Sequence, residues 1–176
     1  AIPYINISQI ISQEDLDKID NYLSYLFNKN RMETLFHPQL YKTNVKVRHK
    51  SDIVNEFYKM LKTQYPTIKE SFKNNLIIKD QSTMIHYRHK IGLLKLNKPL
   101  NNNNILAVLL LNKPILWDKK ELQMIILFSC SDNNNYIYNT ISNTLMNLSL
   151  KEKDIQNLFE DSSYPLFLKT MIQNQS

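Results

Sequence analysis

The chain has 176 residues, 43% of them hydrophobic, which suits one domain with a substantial core. It is basic, with 22 Lys and Arg against 16 Asp and Glu, but the lysines are scattered and form no arm of the kind that grips nucleic acid. Its single glycine, Gly92, excludes a P-loop and a G-x-G-x-x-G fingerprint, because both need backbone without a Cβ at several positions.

Residues 1–11 read as an extended lead-in with Tyr4, Ile5, Ile7, Ile10 and Ile11. Ser12-Gln13-Glu14-Asp15 is a capping-box-like helix start. Leu16, Ile19, Leu23, Leu26 and Phe27 then fall on one helical face, and the polar stretch Asn28 to Arg31 is expected to end that helix. Tyr41 to Val47 alternates weakly, as a strand or extended arm. A helix from Ser51 carries Ile53, Val54, Phe57, Met60 and Leu61 on one side; after Pro66, Thr67 with Glu70 offers a capping box for another helix to about Ile77.

Three strands are expected next: Lys90 to Leu96, Ile105 to Leu111 and Leu122 to Cys130. The last two are nearly continuous apolar runs, the pattern of central strands covered on both faces. Asn112-Lys113-Pro114 and Asp118-Lys119-Lys120 read as turns around Ile115-Leu116-Trp117. The C-terminal third is helical: one helix has Ile137, Ile141, Leu145 and Leu148, a second starts at Ser149, and a third starts near Ser163 with Pro165 in its first turn. Helices before, among and after buried strands predict an α/β domain, a mixed β-sheet flanked by helices on both faces.

Residues Val108 to Cys130 read VLLLNKPILWDKKELQMIILFSC. This resembles the enzyme IIA domains of the mannitol/fructose class of the sugar phosphotransferase system, with their apolar strand, Lys/Pro-Ile-x-Trp turn and second apolar strand. Leu35 to Tyr41, Ile68 to Ser71 with Ser82-Thr83, and Leu158 to Leu168 resemble further stretches of the same domains in the same order. The lead-in Pro3 to Ser8, with Glu14 to Ile19, resembles the linker before such a domain in modular transcription regulators that carry paired regulation domains. The resemblance divides the chain into a linker segment and helix, residues 1–31, and an enzyme IIA-like regulatory domain, residues 32–176. Ala1 before Ile2-Pro3, with no initiator methionine, is read as the mark of a segment cut from a longer protein.

In the family the phosphoryl group is carried by a histidine in an Ile-Ala-Ile-Pro-His strand, just after a glycine-rich loop. Imidazole suits that task because near neutral pH it keeps an uncharged nucleophilic nitrogen. The corresponding strand here is Ile91-Gly92-Leu93-Leu94-Lys95, which puts Lys95 at the histidine position. A lysine ammonium has no free lone pair with which to attack phosphorus. The glycine loop is replaced by His86-Tyr87-Arg88-His89, and the family's supporting histidine falls near Asn135 or Tyr136.

The resemblance therefore implies a regulatory domain of a bacterial activator or antiterminator, degenerate at its phosphohistidine site and working through protein–protein or interdomain contacts. Its partners would be other domains of the parent regulator and phosphotransferase-system proteins such as the phosphocarrier protein. The alternative is an active enzyme IIA phosphocarrier for sugar uptake, with His89 or His86 as acceptor. Arg88, Lys90 and Lys95 are candidates for an anion patch.

No cofactor and no metal are expected, since no His/Cys cluster has ligand spacing and Cys130 stands alone. That lone cysteine in an apolar run reads as a reduced, buried thiol of a cytoplasmic protein. No apolar run approaches the ~18 residues of a membrane span, and no nucleic acid is expected to bind this segment directly. The apolar face of the first helix is available for a homodimer or for docking on a preceding domain.

Overall fold

The computed structural model describes residues 12–78, 81–100, 102–131 and 135–175. The lead-in, residues 1–11, with its regulator-like linker match at Pro3 to Ser8, lies outside them. The first helix, α1 (Gln13–Leu35), starts where Ser12 Oγ accepts the Asp15 amide at 3.2 Å. It does not stop at Asn28 to Arg31 as expected. Met32 is fully buried and Phe36 nearly so, and this apolar turn beyond the polar stretch carries the helix on into the core.

Strand β1 (Tyr41–Val45) follows a single 3-10 turn, Pro38–Leu40, and helix α2 (Lys50–Gln64) buries Ile53, Val54, Phe57 and Leu61. The start of α2 is fixed by Asp52, whose carboxylate accepts the Arg48 and His49 amides at 2.9 and 3.0 Å and is held below the usual carboxylate range by those bonds. The helix expected over 67–77 shrinks to one turn, α3 (Phe72–Asn75). Phe72, Lys73 and Asn74 donate to carbonyls three residues back, so the segment closes as tight turns that still bury Ile68, Phe72 and Leu76.

Four strands complete the sheet: β2 (Ser82–Tyr87), β3 (Ile91–Leu96), β4 (Ile105–Trp117) and β5 (Lys120–Ser129). Their order is β1-β4-β5-β3-β2, with β1 parallel to β4, β4 antiparallel to β5, β5 parallel to β3 and β3 antiparallel to β2. The two continuous apolar runs, β4 and β5, lie inside the sheet, as their lack of a polar face requires. Asn112-Lys113-Pro114 is not a turn. The strand runs through it with a register shift between Leu110 and Ile115, beyond the last β1 pair at Leu111, where Pro114 removes no ladder bond to a second neighbour.

Helices cover both faces. Leu94, Leu109, Trp117, Ile125 and Leu127 of the first face pack with α2 and the 68–76 turns. Leu93, Val108, Ile126 and Phe128 of the second face pack under the end of α1 and three C-terminal helices, α4 (Tyr136–Ser149), α5 (Glu152–Glu160) and α6 (Tyr164–Gln173). Pro165 occupies the first turn of α6, after Ser163, whose Oγ accepts the Leu166 amide. The mixed sheet with helices on both faces is the predicted architecture.

Scarcity of glycine leaves its mark on the hairpins. The β4–β5 connection is Asp118-Lys119, at φ of 50° and 69°, between the paired Trp117 and Lys120. Two consecutive left-handed residues make a type I′ turn, a position for Asn-Gly or Asp-Gly. A side chain in that region costs about 1 kcal/mol, so Lys119→Gly is expected to stabilise the fold by about that amount, read as a rise in Tm.

Candidate functional site

Strand β3 positions the residue on which the functional reading turns. Its alternation sends Gly92, Leu94 and Leu96 to the first face and Ile91, Leu93 and Lys95 to the second. Lys95 lies between Thr83 of β2 and Phe128 of β5. It is half-buried, and its Nζ stands 4.2 Å from the centroid of the Tyr138 ring in the first turn of α4. Tyr138 in turn packs edge-on against Phe128, with centroids 5.9 Å apart. The ammonium thus rests on the negative face of an aromatic ring, and among the described residues no carboxylate lies within ion-pair distance of it.

The neighbouring position at the start of α4 is Tyr136, half-exposed, whose hydroxyl accepts from the Arg31 guanidinium of α1. Arg31 also sits 4.7 Å over Phe27 and 5.0 Å over the Tyr136 ring. Asn135 is the residue before the helix, and neither it nor Tyr136 supplies an imidazole.

The histidines lie elsewhere. His86 belongs to β2 rather than to a polar turn, opposite Gly92. It shares the first face with Met84, so it looks away from the face that Lys95 occupies. Its Nδ1 is buried without a hydrogen-bond partner. Burial, with the Lys120 charge adding to it and Asp118 opposing, holds the imidazole below the usual histidine range.

His89 occupies the β2–β3 turn at a φ of 59°, its Nδ1 3.9 Å from a Glu152 carboxylate oxygen. Lys90, also left-handed at 67°, lies 3.7 Å from Glu121, and Arg88 is exposed beside it. Arg88, His89 and Lys90 are therefore one cluster at the start of β3. Lys95 is five residues along an extended strand, ~16 Å away. The four side chains do not converge on one point, and two of the three at the turn, His89 and Lys90, already face acids.

The remaining candidates are structural. Trp117 is 2% exposed, with Lys50 Nζ 4.3 Å over its ring, so it packs inside the hairpin rather than standing out for a partner. Cys130 is half-buried and its Sγ donates to Asn104 Oδ1 at 3.1 Å. No group of three or more metal-ligating side chains is present among the described residues, and no described helix is long and apolar enough to cross a membrane.

A groove of about 530 Å³ opens at the end of β3, lined by Phe72, Gln81, Leu96, Lys98 and Leu100. It lies on the first-face side of the strand, away from Lys95, and among the described residues its lining has no serine, threonine, cysteine or histidine. The contact that sequence reasoning missed is Lys95 with Tyr138. The two are 43 positions apart, and only the packing of α4 over the strand end joins them.

No protein-family model matches the chain, and no curated protein matches it in sequence. Solved structures do match it in shape. The nitrogen regulatory protein IIA-Ntr from Neisseria meningitidis superposes with a TM-score of 0.61 at 12% identity, over 79% of this chain and 97% of that one. The IIA mannitol domain from Escherichia coli gives 0.59 at 10% identity, over 77% of this chain and 98% of that one. A complex of that enzyme IIA with phosphorylated enzyme IIB, also from Escherichia coli, gives 0.58 at 10% identity, over 77% and 96%. At these identities the likeness concerns the fold: a five-stranded mixed sheet between helices, which this chain shares with the phosphotransferase-system IIA domains.

Proposed function

We propose that this chain is a regulatory IIA-like domain of a bacterial transcription regulator, an activator or antiterminator, whose phosphohistidine position is occupied by Lys95. Residues 1–31 are the joint to the rest of the regulator and residues 32–176 the regulatory domain. Its partners are neighbouring domains of the same protein and phosphotransferase-system proteins, and it acts by contact rather than by carrying a phosphoryl group.

The observation that carries this reading is Lys95 itself, on the strand that resembles the family's histidine strand, with its ammonium laid on the Tyr138 ring. A phosphohistidine would place negative charge there when the sugar supply changes. Lysine fixes the opposite sign, so the domain corresponds to a permanently unphosphorylated one. The histidine-borne alternative is poorly served, because His86 is on the other face of the sheet and His89 sits at the far end of the strand in a turn.

Expressed in a strain that lacks its mannitol/fructose-class enzyme IIA, the chain is expected to leave sugar uptake unrestored, while a histidine-bearing enzyme IIA restores it. Restored uptake would favour the phosphocarrier.

A further inference from the structure

Six large hydrophobic residues exposed among the described ones, Ile19, Tyr22, Leu23, Tyr25, Leu26 and Phe27, belong to α1, at 39–62% exposure. They precede the part of the helix that packs on the body, where Met32 is fully buried and Leu35 lies against the second-face core. At ~100° per residue, Leu23 lies about 180° around the helix from Met32, and Ile19 about 160° from Leu35. Ile19, Leu23 and Leu26 thus look away from the domain, whereas Tyr25 lies on the Met32 side of the helix, and among the described residues the domain's core does not cover those three. Apolar surface gathered in this way marks an interface.

The pattern of the stripe points to what covers it. Leu16, Ile19, Leu23 and Leu26 are spaced three, four and three residues apart, as in the seam of a coiled coil. That spacing reads the same in both directions. A two-fold axis at the level of Asn21 brings Leu16 to the partner's Leu26 and Ile19 to the partner's Leu23.

Charge then chooses the direction. The first half of α1 carries four acids, Glu14, Asp15, Asp17 and Asp20, against Lys18, whereas the second half carries Lys29 and Arg31 against Glu33. A parallel pair would stack the acidic halves on each other. An antiparallel pair sets the acidic half of one helix beside the basic half of the other and opposes the two helix dipoles. Lys29 is available for this, since its ion pair with Glu33 is long at 3.9 Å and half-exposed.

We propose that α1 pairs antiparallel with α1 of a second copy of this chain, forming an isologous two-fold dimer. The test is sedimentation equilibrium on the full chain at micromolar concentrations, with Leu23→Glu as the variant. A dimer is expected, with its Kd raised about tenfold or more by Leu23→Glu while the circular dichroism spectrum is unchanged. A spin label at Gln13→Cys, in a Cys130→Ser background, fixes the direction. Label pairs about 24 Å apart along the helix axis are expected for the antiparallel dimer, against about 10 Å for a parallel one. A monomer at every concentration, a dimer indifferent to Leu23→Glu, or the short label distance would each overturn the proposal.

Discussion

Replacing Phe167 with alanine is expected to destabilise the fold by about 3–5 kcal/mol. Phe167 is fully buried in α6, where it meets the Phe36 ring edge-on at 5.2 Å and the Tyr41 ring at 4.9 Å. It therefore ties together three parts of the chain: the last helix, the end of α1 and the edge strand β1. Tyr41 anchors the same corner, donating its hydroxyl to the Ser162 carbonyl at 2.8 Å, and its own ionisation is pushed upward, first by burial and then by Asp161.

Loss of the ring leaves a cavity that two neighbouring aromatics, held by the sheet and by α1, are poorly placed to fill. Urea unfolding should show a lower midpoint with an unchanged slope, and the amides of the last turn of α1 should exchange faster with solvent. Leu116→Ala is the matched control, because Leu116 is exposed within a strand and its truncation is expected to cost less than about 0.5 kcal/mol.

Gly92→Val is expected to cost about 2–3 kcal/mol. The backbone of Gly92 has no positive φ, so the requirement is room rather than conformational freedom. A Cβ there would stand 2.8 Å from Met84 Sδ and 3.0 Å from Leu122 Cδ2. Alanine brings one carbon, and the thioether end of Met84 can turn away from it, while the lower entropy of the unfolded chain returns part of the loss. Valine adds two further methyls against Leu122, which is fully buried and has no free side to move into. Measured by the same unfolding assay, Gly92→Val combined with Met84→Ala should cost less than the sum of the two single changes, because the second removes one of the clashing groups.

What the residues alone revealed follows from where burial is two-sided. β4 and β5 were legible because strands covered on both faces are written as unbroken apolar runs, α2 and α4 because their apolar positions recur at helical spacing, and α6 because Ser163 and Pro165 mark its start. Strand β2 was not legible. At the sheet edge its residues Thr83 to Tyr87 are exposed or only partly covered, so polar and apolar types mix without alternation.

The end of α1 was misread because Asn28 to Arg31 look like a terminus, whereas the turn that holds the helix in place comes after them. At the candidate site, the position of Lys95 on β3 could be read from the strand pattern. Its distance from Arg88, His89 and Lys90 could not, since eight adjacent residues look like one basic cluster until a strand stretches them apart. The partner of Lys95, Tyr138, depends on tertiary packing that no local pattern encodes.

Phosphotransfer in a purified system tests the central claim most directly. The chain is incubated with phosphoenolpyruvate, enzyme I and the phosphocarrier protein, beside a histidine-bearing enzyme IIA domain, and intact masses are read under alkaline conditions that preserve phosphohistidine. The proposed reading, which assigns Lys95 to the acceptor position, predicts that the control gains one phosphoryl group and this chain none. A stoichiometric phosphate on this chain, mapped to His89 or His86, would contradict the degenerate-site reading and make the chain a working phosphocarrier.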